Sequence, residues 1–115
     1  MSNSFIVTID SKVIYKYEET RNPARLRRYL DELDLHMEEG VQLGEIFVKN
    51  PDTFQKQQYI AMLLIQALDE NNSNNVNVYS AYLLRSGPDL SEVNVSLQGD
   101  MCSLKLITST HNKEI

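Results

Sequence analysis

The chain has few of the residues on which several common functions depend. Its 115 residues include one cysteine, Cys102, and two histidines. A single cysteine excludes an intramolecular disulfide bond, and the sequence starts with neither a basic nor an apolar leader, so it predicts a cytosolic protein. The longest apolar run, residues 59–65, stops well short of the roughly 20 residues that a membrane-spanning helix needs. The sequence therefore predicts no association with a membrane.

Positive charge is also scarce. Lys and Arg number 11 against 16 Asp and Glu, which gives a formal net charge of −5. Nucleic acids and anionic lipid surfaces are held by clustered Lys and Arg, so this balance argues against both as partners. Hydrophobic residues make up 42% and charged residues 23%, close to the averages of soluble globular domains. Because no repeat and no Gly- or Pro-rich linker divides the chain, residues 1–115 are expected to form one domain, with flexible tails at residues 1–4 and 109–115.

Motifs for catalysis are absent. The sequence contains no GxSxG, P-loop, GxGxxG or HExxH pattern, and His111 falls in the expected C-terminal tail. One spacing is typical of metal ligands, that of Glu32, His36 and Glu39, and we interpret it as the solvated flank of a helix. Cys102 alternates with apolar residues, which favours a buried structural thiol. The sequence therefore predicts a protein that is not an enzyme and that holds neither a cofactor nor a metal.

Toward both ends of the chain, apolar and polar residues alternate as they do in half-buried β-strands. Residues 5–17 are rich in β-branched and aromatic residues on either side of Asp10 and Ser11, which predicts a hairpin. Turn signals at residues 86–89 and 99–100 separate further alternating segments. These predict a three-stranded antiparallel meander over residues 76–84, 93–97 and 102–106.

Two helices are predicted between these strands. Asn22 and Pro23 favour the start of a first helix, which is expected to run to about Glu39. Its apolar stripe has helical spacing and consists of Leu26, Leu30, Leu33 and Met37. A second helix is predicted to start at residues 51–53, to run to about Asp69, and to end at the polar run of residues 71–75, which is expected to be a loop.

The second predicted helix is apolar around roughly 200° of its circumference, about twice the arc that a surface helix needs. Either it is the central helix of the core, or part of this arc faces a second subunit. Residues 41–50, between the helices, are expected to be a connection with one apolar anchor. The predicted order is ββααβββ, an α+β domain with a mostly antiparallel sheet and two helices packed on one face.

The first predicted helix is one candidate surface for partner binding. Arginines lie at its N-terminal end and acids follow them, an order that opposes the helix dipole. Pairs at i, i+4, such as Arg27 with Asp31, are one explanation of this order. The other is a patch that meets an acidic partner or a phosphate group. The residues of that patch are Arg21, Arg25 and Arg28.

The sheet face opposite the core is the other candidate surface. Scattered surface apolar residues are common, but residues placed side by side there would form a patch larger than a monomer normally exposes. A homodimer would cover such a patch. The residues expected on it are Ile6, Ile14, Tyr79, Leu83 and Ile107.

These surfaces predict a small cytosolic protein-interaction module of the adaptor, chaperone or inhibitor type. It is expected to form a homodimer and to be able to bind another protein. The alternative is a small-molecule-binding regulatory domain, whose pocket would be lined by Tyr15, Tyr29, Tyr59 and Tyr82. A third class, an enzyme, would need carboxylates or tyrosines that converge in a cleft.

Overall fold

The computed structural model describes residues 4–18, 24–99 and 101–108 and has an α+β fold. Within these ranges the secondary structure elements are β1 (Ser4–Ile9), β2 (Lys12–Glu18), α1 (Ala24–Glu38), β3 (Val41–Leu43), β4 (Ile46–Val48), α2 (Thr53–Asp69), α3 (Ser73–Ser86), β5 (Leu90–Gln98) and β6 (Met101–Thr108). The tails expected at residues 1–4 and 109–115 lie outside the described residues, except that Ser4 begins β1.

Four strands form one mixed sheet in the order β2-β1-β5-β6. β1 is antiparallel to β2 but parallel to β5, and β5 is antiparallel to β6. A parallel pair needs a long crossover connection, and the helices between β1 and β5 supply it. The predicted C-terminal meander is therefore correct only for its last two strands, which form the β5–β6 hairpin.

The predicted N-terminal hairpin is confirmed. Asp10 and Ser11 form its turn with φ angles of 51° and 71°, and positive φ at both central residues matches the twist of a tight hairpin. Phe5 of β1 is buried and its ring lies 5.7 Å from that of Tyr17 on β2. A bulge beside Val7 shifts the register between the two strands.

Both predicted helices are confirmed close to their predicted ends. α1 buries Leu30 and Met37, two residues of its predicted stripe. α2 begins with a capping box. The backbone N–H of Gln55 donates to the Asp52 carboxylate, and the backbone N–H of Asp52 donates to the side-chain oxygen of Gln55. The residues predicted to start α1 lie outside the described part of the chain.

The third helix, α3, replaces a predicted loop and a predicted strand. The chain turns at Asn71, where φ is 57°, and the Asn75 amide then donates to the Asn72 side chain, which caps α3. The polar run at residues 71–75 is thus the start of a helix. The strand predicted at residues 76–84 is wrong because Leu83 is buried together with Val76 and Ser80, which is helical spacing, whereas strict alternation would turn Leu83 to the opposite face. The buried residues of α3 are Val76, Ser80, Ala81, Tyr82, Leu83 and Leu84.

Residues 41–50, predicted as a connection, contain a short antiparallel hairpin of β3 and β4. Val41 is the buried anchor of this hairpin, while Phe47 is 56% exposed. Gly40 precedes β3 with a φ of 136°, and the Phe47 ring lies so close to it that an added Cβ would overlap the ring. Glycine is required here both for the backbone angle and for the approach of the ring.

We expect Gly40→Ala to lower the free energy of unfolding by about 1–2 kcal/mol, because the backbone is strained at this φ and the methyl group displaces the Phe47 ring. Gly44→Ala is the control, since Gly44 also has a positive φ, 64°, but has nothing within 4 Å of an added Cβ. Urea denaturation measures both changes. If Gly40→Ala lowers the free energy of unfolding by the same amount in a Phe47→Ala background, the contact with the Phe47 ring does not contribute to the loss.

The core lies between the helices and one face of the four-stranded sheet. α3 contacts both α1 and α2, and it reaches the sheet through Ser80, whose Oγ donates to the Tyr15 hydroxyl over 3.5 Å. α2 contacts β6 and β3. Three helices therefore surround the core, instead of the two that the sequence predicts.

Candidate functional site

The sheet face opposite the core carries a row of side chains with mixed chemistry. The strand register places Ile6 beside Glu92, and Glu92 beside Ile107, with Lys16 next to Ile6 on the edge strand β2. Residues that pair directly across strands point to the same face. Ile6 and Ile107 are therefore separated by a carboxylate.

A hydrogen-bonded cluster lies at the centre of the same face. Thr8 Oγ1 donates to Oε2 of Glu92 over 2.6 Å, and Asn94 Nδ2 donates to the same oxygen over 2.8 Å. The hydrogen bond from Thr8, followed by that from Asn94, lowers the pKa of the Glu92 carboxyl. The cluster ties β1 to β5 and holds a negative charge in the middle of this face.

The apolar patch predicted on this face is wrong. Tyr79 and Leu83 lie in α3, and Leu83 is fully buried, because the strand expected to carry them is a helix. Ile14 is 43% exposed on β2, close to the bulge. Ile6 and Ile107 are kept apart as described above. These five residues do not form a continuous surface.

The arginines predicted as a patch lie around the start of α1. Arg21 is outside the described residues, Arg25 belongs to the first turn of α1, and Arg28 is exposed. Asp31 is expected to pair with Arg27, one turn earlier on α1. It lies 2.9 Å from Arg85 of α3 instead. Binding of an acidic partner by these arginines stays a prediction.

A group of polar side chains, here called the three-helix cluster, joins Asp34 of α1, Lys56 of α2 and Tyr82 of α3. The Tyr82 hydroxyl donates to Oδ1 of Asp34 over 2.6 Å, and Lys56 Nζ lies 3.2 Å from the same oxygen. Tyr82 is 3% exposed and the Lys56 side chain is 13% exposed. The Asp34 side chain is 38% exposed, so each helix contributes one member to a network that is only partly buried.

The cluster shifts the pKa values of Asp34 and Tyr82. The hydrogen bond from Tyr82, with further help from the Lys56 ammonium, holds the pKa of Asp34 below its ordinary value despite partial burial. Burial, followed by the hydrogen bond to the Asp34 carboxylate, raises the pKa of Tyr82. Within the described residues no buried side-chain nitrogen or oxygen lacks a hydrogen-bond partner. We therefore interpret the three-helix cluster as a clamp between helices.

The tyrosines predicted to line a ligand pocket do not converge. Tyr15 of β2 contacts Ser80 of α3, whereas Tyr82 lies between α3 and α1. Tyr29 is 55% exposed on α1, and Tyr59 is a partly buried residue of α2. Because these four side chains lie in different parts of the molecule, they do not support a single tyrosine-lined pocket.

An apolar groove of about 460 Å³ lies where the β3–β4 hairpin, α2 and the β5–β6 hairpin meet. Met62, at 39% exposure, is its most accessible large apolar residue from α2. Among the residues that the structure describes, none that lines this groove is charged. The lining residues are Leu43, Gly44, Gln58, Met62, Ile65, Val95 and Leu104.

A second depression of about 230 Å³ lies farther along β6, where Phe54 and Gln57 of α2 approach Leu106. Leu104 and Leu106 are successive residues on one face of β6, and Gln57 is adjacent to Gln58 on α2. The two depressions therefore lie end to end. Together they form what we call the β6 groove, which follows the sheet edge beneath α2.

The apolar arc predicted for α2 explains part of one wall of the β6 groove, since it includes Phe54 and Ile65, whereas Met62 and Gln58 belong to the strip that the sequence predicts to face water. Phe54, Met62 and Ile65 share one side of the helix with Gln58, at helical spacing. Phe54 is 54% exposed, so this side of α2 is not covered by the core. The sequence pattern revealed the excess apolar surface but not the strand beside it.

The two edge strands of the sheet differ in how they are protected. β2 carries Lys12, Lys16 and Glu18, and a bulge interrupts its pairing with β1. β6 is eight residues long and contains one charged residue, Lys105, and no proline. Charges and bulges are the devices by which natural sheets block further pairing. Within the part of the chain that the structure describes, β6 is therefore the edge with less protection against an additional strand.

Comparisons with family models, curated proteins and solved structures found no match for this chain. Among the described residues, no helix is long and apolar enough to cross a bilayer. The same part of the chain contains no group of three or more His, Cys, Asp and Glu side chains placed to hold a metal ion. The β6 groove is the described feature with the clearest chemistry for binding.

Proposed function

We propose that the chain is a cytosolic, non-catalytic protein-binding module that takes up an extended segment of a partner as an added strand at β6. The observation that carries the proposal is the combination of a weakly protected edge strand with a mostly apolar groove beside it, in which Asp89 is the one charged residue of the described lining. Neither feature alone defines a binding site. Together they provide the two components of recognition by strand addition.

Strand addition uses main-chain hydrogen bonds for affinity and pockets for alternate side chains for specificity. The outward N–H and C=O groups of β6 offer the hydrogen bonds. Every second side chain of an added strand would point toward α2, into the β6 groove, while the others would point to the opposite face of the sheet. The preferred partner segment therefore alternates apolar and polar residues.

The titratable groups with shifted pKa values support a binding role over a catalytic one. Asp34 and Tyr82 are bound to each other in the three-helix cluster, and Glu92 is held by Thr8 and Asn94. A general acid or base must face a substrate with its titrating atom. Each of these three groups uses that atom to connect secondary structure elements, and Asp34 and Tyr82 also line a polar depression of about 280 Å³ with Lys56.

Selection from a displayed library of random 12-residue peptides tests the proposal without a known partner. The protein is immobilised at low density, so that its copies do not meet. We expect enrichment of peptides with alternating apolar residues, and we expect Met62→Glu to weaken their binding by about 100-fold, because it buries an unpaired charge in the β6 groove. Fluorescence anisotropy of the labelled peptides measures the affinity.

Leu35→Glu is the matched control. Leu35 is also an exposed apolar residue on a helix, at 63% exposure, but it lies on α1, away from the β6 groove. Peptide binding should survive this change. The proposal is wrong if no alternating peptide is enriched, or if the selected peptides bind the Met62→Glu variant as well as the unchanged protein.

A further inference from the structure

We infer that the segment that occupies the β6 groove is the β6 strand of a second copy of this chain. The two β6 strands would pair antiparallel about a two-fold axis perpendicular to the sheet. This inference rests on the proposed function, whose binding site it uses. The result would be a continuous eight-stranded sheet with the helices of both copies on the same side.

The unequal protection of the two edges favours a second copy as the occupant. Pairing of β6 with β6 uses up the open edge of both copies, since a two-fold interface is self-complementary and closed. The edges that remain are the two β2 strands, which carry charges and a bulge. Assembly would therefore stop at the dimer, and no open edge would be left as a template for aggregation.

The side chains of β6 suit the groove that they would enter. Leu104 and Leu106 pair with Val95 and Val93 of β5 and so lie on the core side of the sheet. A two-fold axis perpendicular to the sheet keeps this side common to both copies. The leucines of each strand would then lie beneath α2, next to those of the other strand, and the exposed Phe54 and Met62 of the two α2 helices would face the same interface.

Charge is compatible with this pairing although each copy has a net charge of −5. The described lining of the larger depression contains no charged residue. The smaller depression is lined by Asp89, which lies near Leu106 and Thr108 and therefore away from a two-fold axis at Leu104. Lys105 pairs with Asn94 and lies on the opposite face of the sheet. In a register centred on Leu104, Lys105 is opposite Ser103 of the second copy, and the two lysines are not paired with each other.

Sedimentation velocity over a concentration series tests the association of the full chain. We expect a monomer–dimer equilibrium, and we expect Met62→Glu to raise the dimer dissociation constant by about 100-fold or more. Phe54→Glu is a second groove variant and should act in the same direction. Leu35→Glu should leave the constant unchanged. Circular dichroism confirms that each variant is folded.

Hydrogen exchange locates the interface. At concentrations where the dimer forms, amides of β6 should exchange at least about 10-fold more slowly than in the dilute protein, whereas amides of β2 should not change. The inference is supported if the dimer protects β6 amides and if the Met62→Glu variant loses this protection. A dimer that is insensitive to both groove variants, or that protects β2 instead, overturns it.

The same measurements separate failure of the inference from failure of the proposed function. A chain that stays monomeric at every concentration, but binds the selected peptides in a Met62-dependent way, overturns the second copy as occupant and leaves strand addition in place. A chain that neither dimerises nor binds such peptides overturns both.

Discussion

Replacing Leu83 by alanine is expected to lower the free energy of unfolding by about 2–5 kcal/mol, the range for large-to-small substitutions in a packed core. Leu83 is 0% exposed and lies in α3, the helix that contacts both other helices. The change removes apolar burial and leaves a cavity that these neighbours can fill only in part. Urea denaturation monitored by circular dichroism measures the loss.

Leu35→Ala is the control for this substitution, because Leu35 is 63% exposed on α1. Its effect should stay within about 0.5 kcal/mol, as for most surface changes. A loss at Leu83 no larger than that at Leu35 would contradict the buried position of Leu83. Leu83→Asp would place a carboxylate in the core. This variant therefore tests the stability of the fold and not the association of two copies.

Asp34→Ala is expected to destabilise the protein by about 1–3 kcal/mol, because it removes the acceptor of the buried Tyr82 hydroxyl and a charge partner of Lys56. Tyr82→Phe removes the other half of the same hydrogen bond and should destabilise by less, about 1–1.5 kcal/mol. The double variant should lose less stability than the sum of the two single changes. Chemical denaturation of all four proteins gives the coupling free energy.

Asp31→Ala provides the contrast. Asp31 also forms an ion pair between α1 and α3, with Arg85, but its side chain is 69% exposed. An exposed pair contributes about 0–1 kcal/mol, so this variant should be close to the unchanged protein. The clamp would be refuted if Asp31→Ala and Asp34→Ala lowered the free energy of unfolding equally. It would also be refuted if the losses from Asp34→Ala and Tyr82→Phe were strictly additive.

The pH dependence of the clamp has a defined sign. Because the pKa of Asp34 is lowered on folding, its contribution to stability is present above its unfolded value of about 4 and is lost as the pH falls through the folded value. The pKa of Tyr82 is raised, so its contribution is present below about 10 and is lost as the pH rises further. The stability difference between the unchanged protein and Asp34→Asn should therefore shrink in acid.

Local signals in the sequence predicted much of the fold. The helix start at residues 51–53, the turn at Asp10 and Ser11, and the stripe through Leu30 and Met37 each depend on neighbours within a few residues, and each is confirmed. The α+β class followed from them. Such features are readable because capping, turn geometry and amphipathic spacing are properties of short segments.

The region of α3 was misread because two periods compete there. Val76, Ser80 and Leu84 fit an alternating pattern and a helical one. Leu83, which is buried with them, fits only the helical one. The run of asparagines before it looks like a loop, although Asn72 caps the helix. The error moved Tyr79 and Leu83 onto the sheet and created the predicted apolar patch.

The β6 groove could not be predicted from the sequence because it depends on strand order. The apolar arc of α2 was visible, and the possibility that part of it faces a second subunit followed from it. The pairing of β5 with β1 leaves β6 at the edge of the sheet. Only this strand order places Met62 and Phe54 beside Leu104 and Leu106. Parallel pairing between distant segments leaves no short-range signal.

The parallel pairing of β1 with β5 also determines how the molecule folds. It brings together Thr8 and Glu92, which are 84 residues apart in sequence, and contacts between such distant residues slow folding because the entropy of loop closure is lost before they form. An isolated two-stranded hairpin is marginal in water. The β1–β2 hairpin therefore depends on the arrival of β5 for its stability, and the two ends of the described chain should unfold together in one cooperative transition.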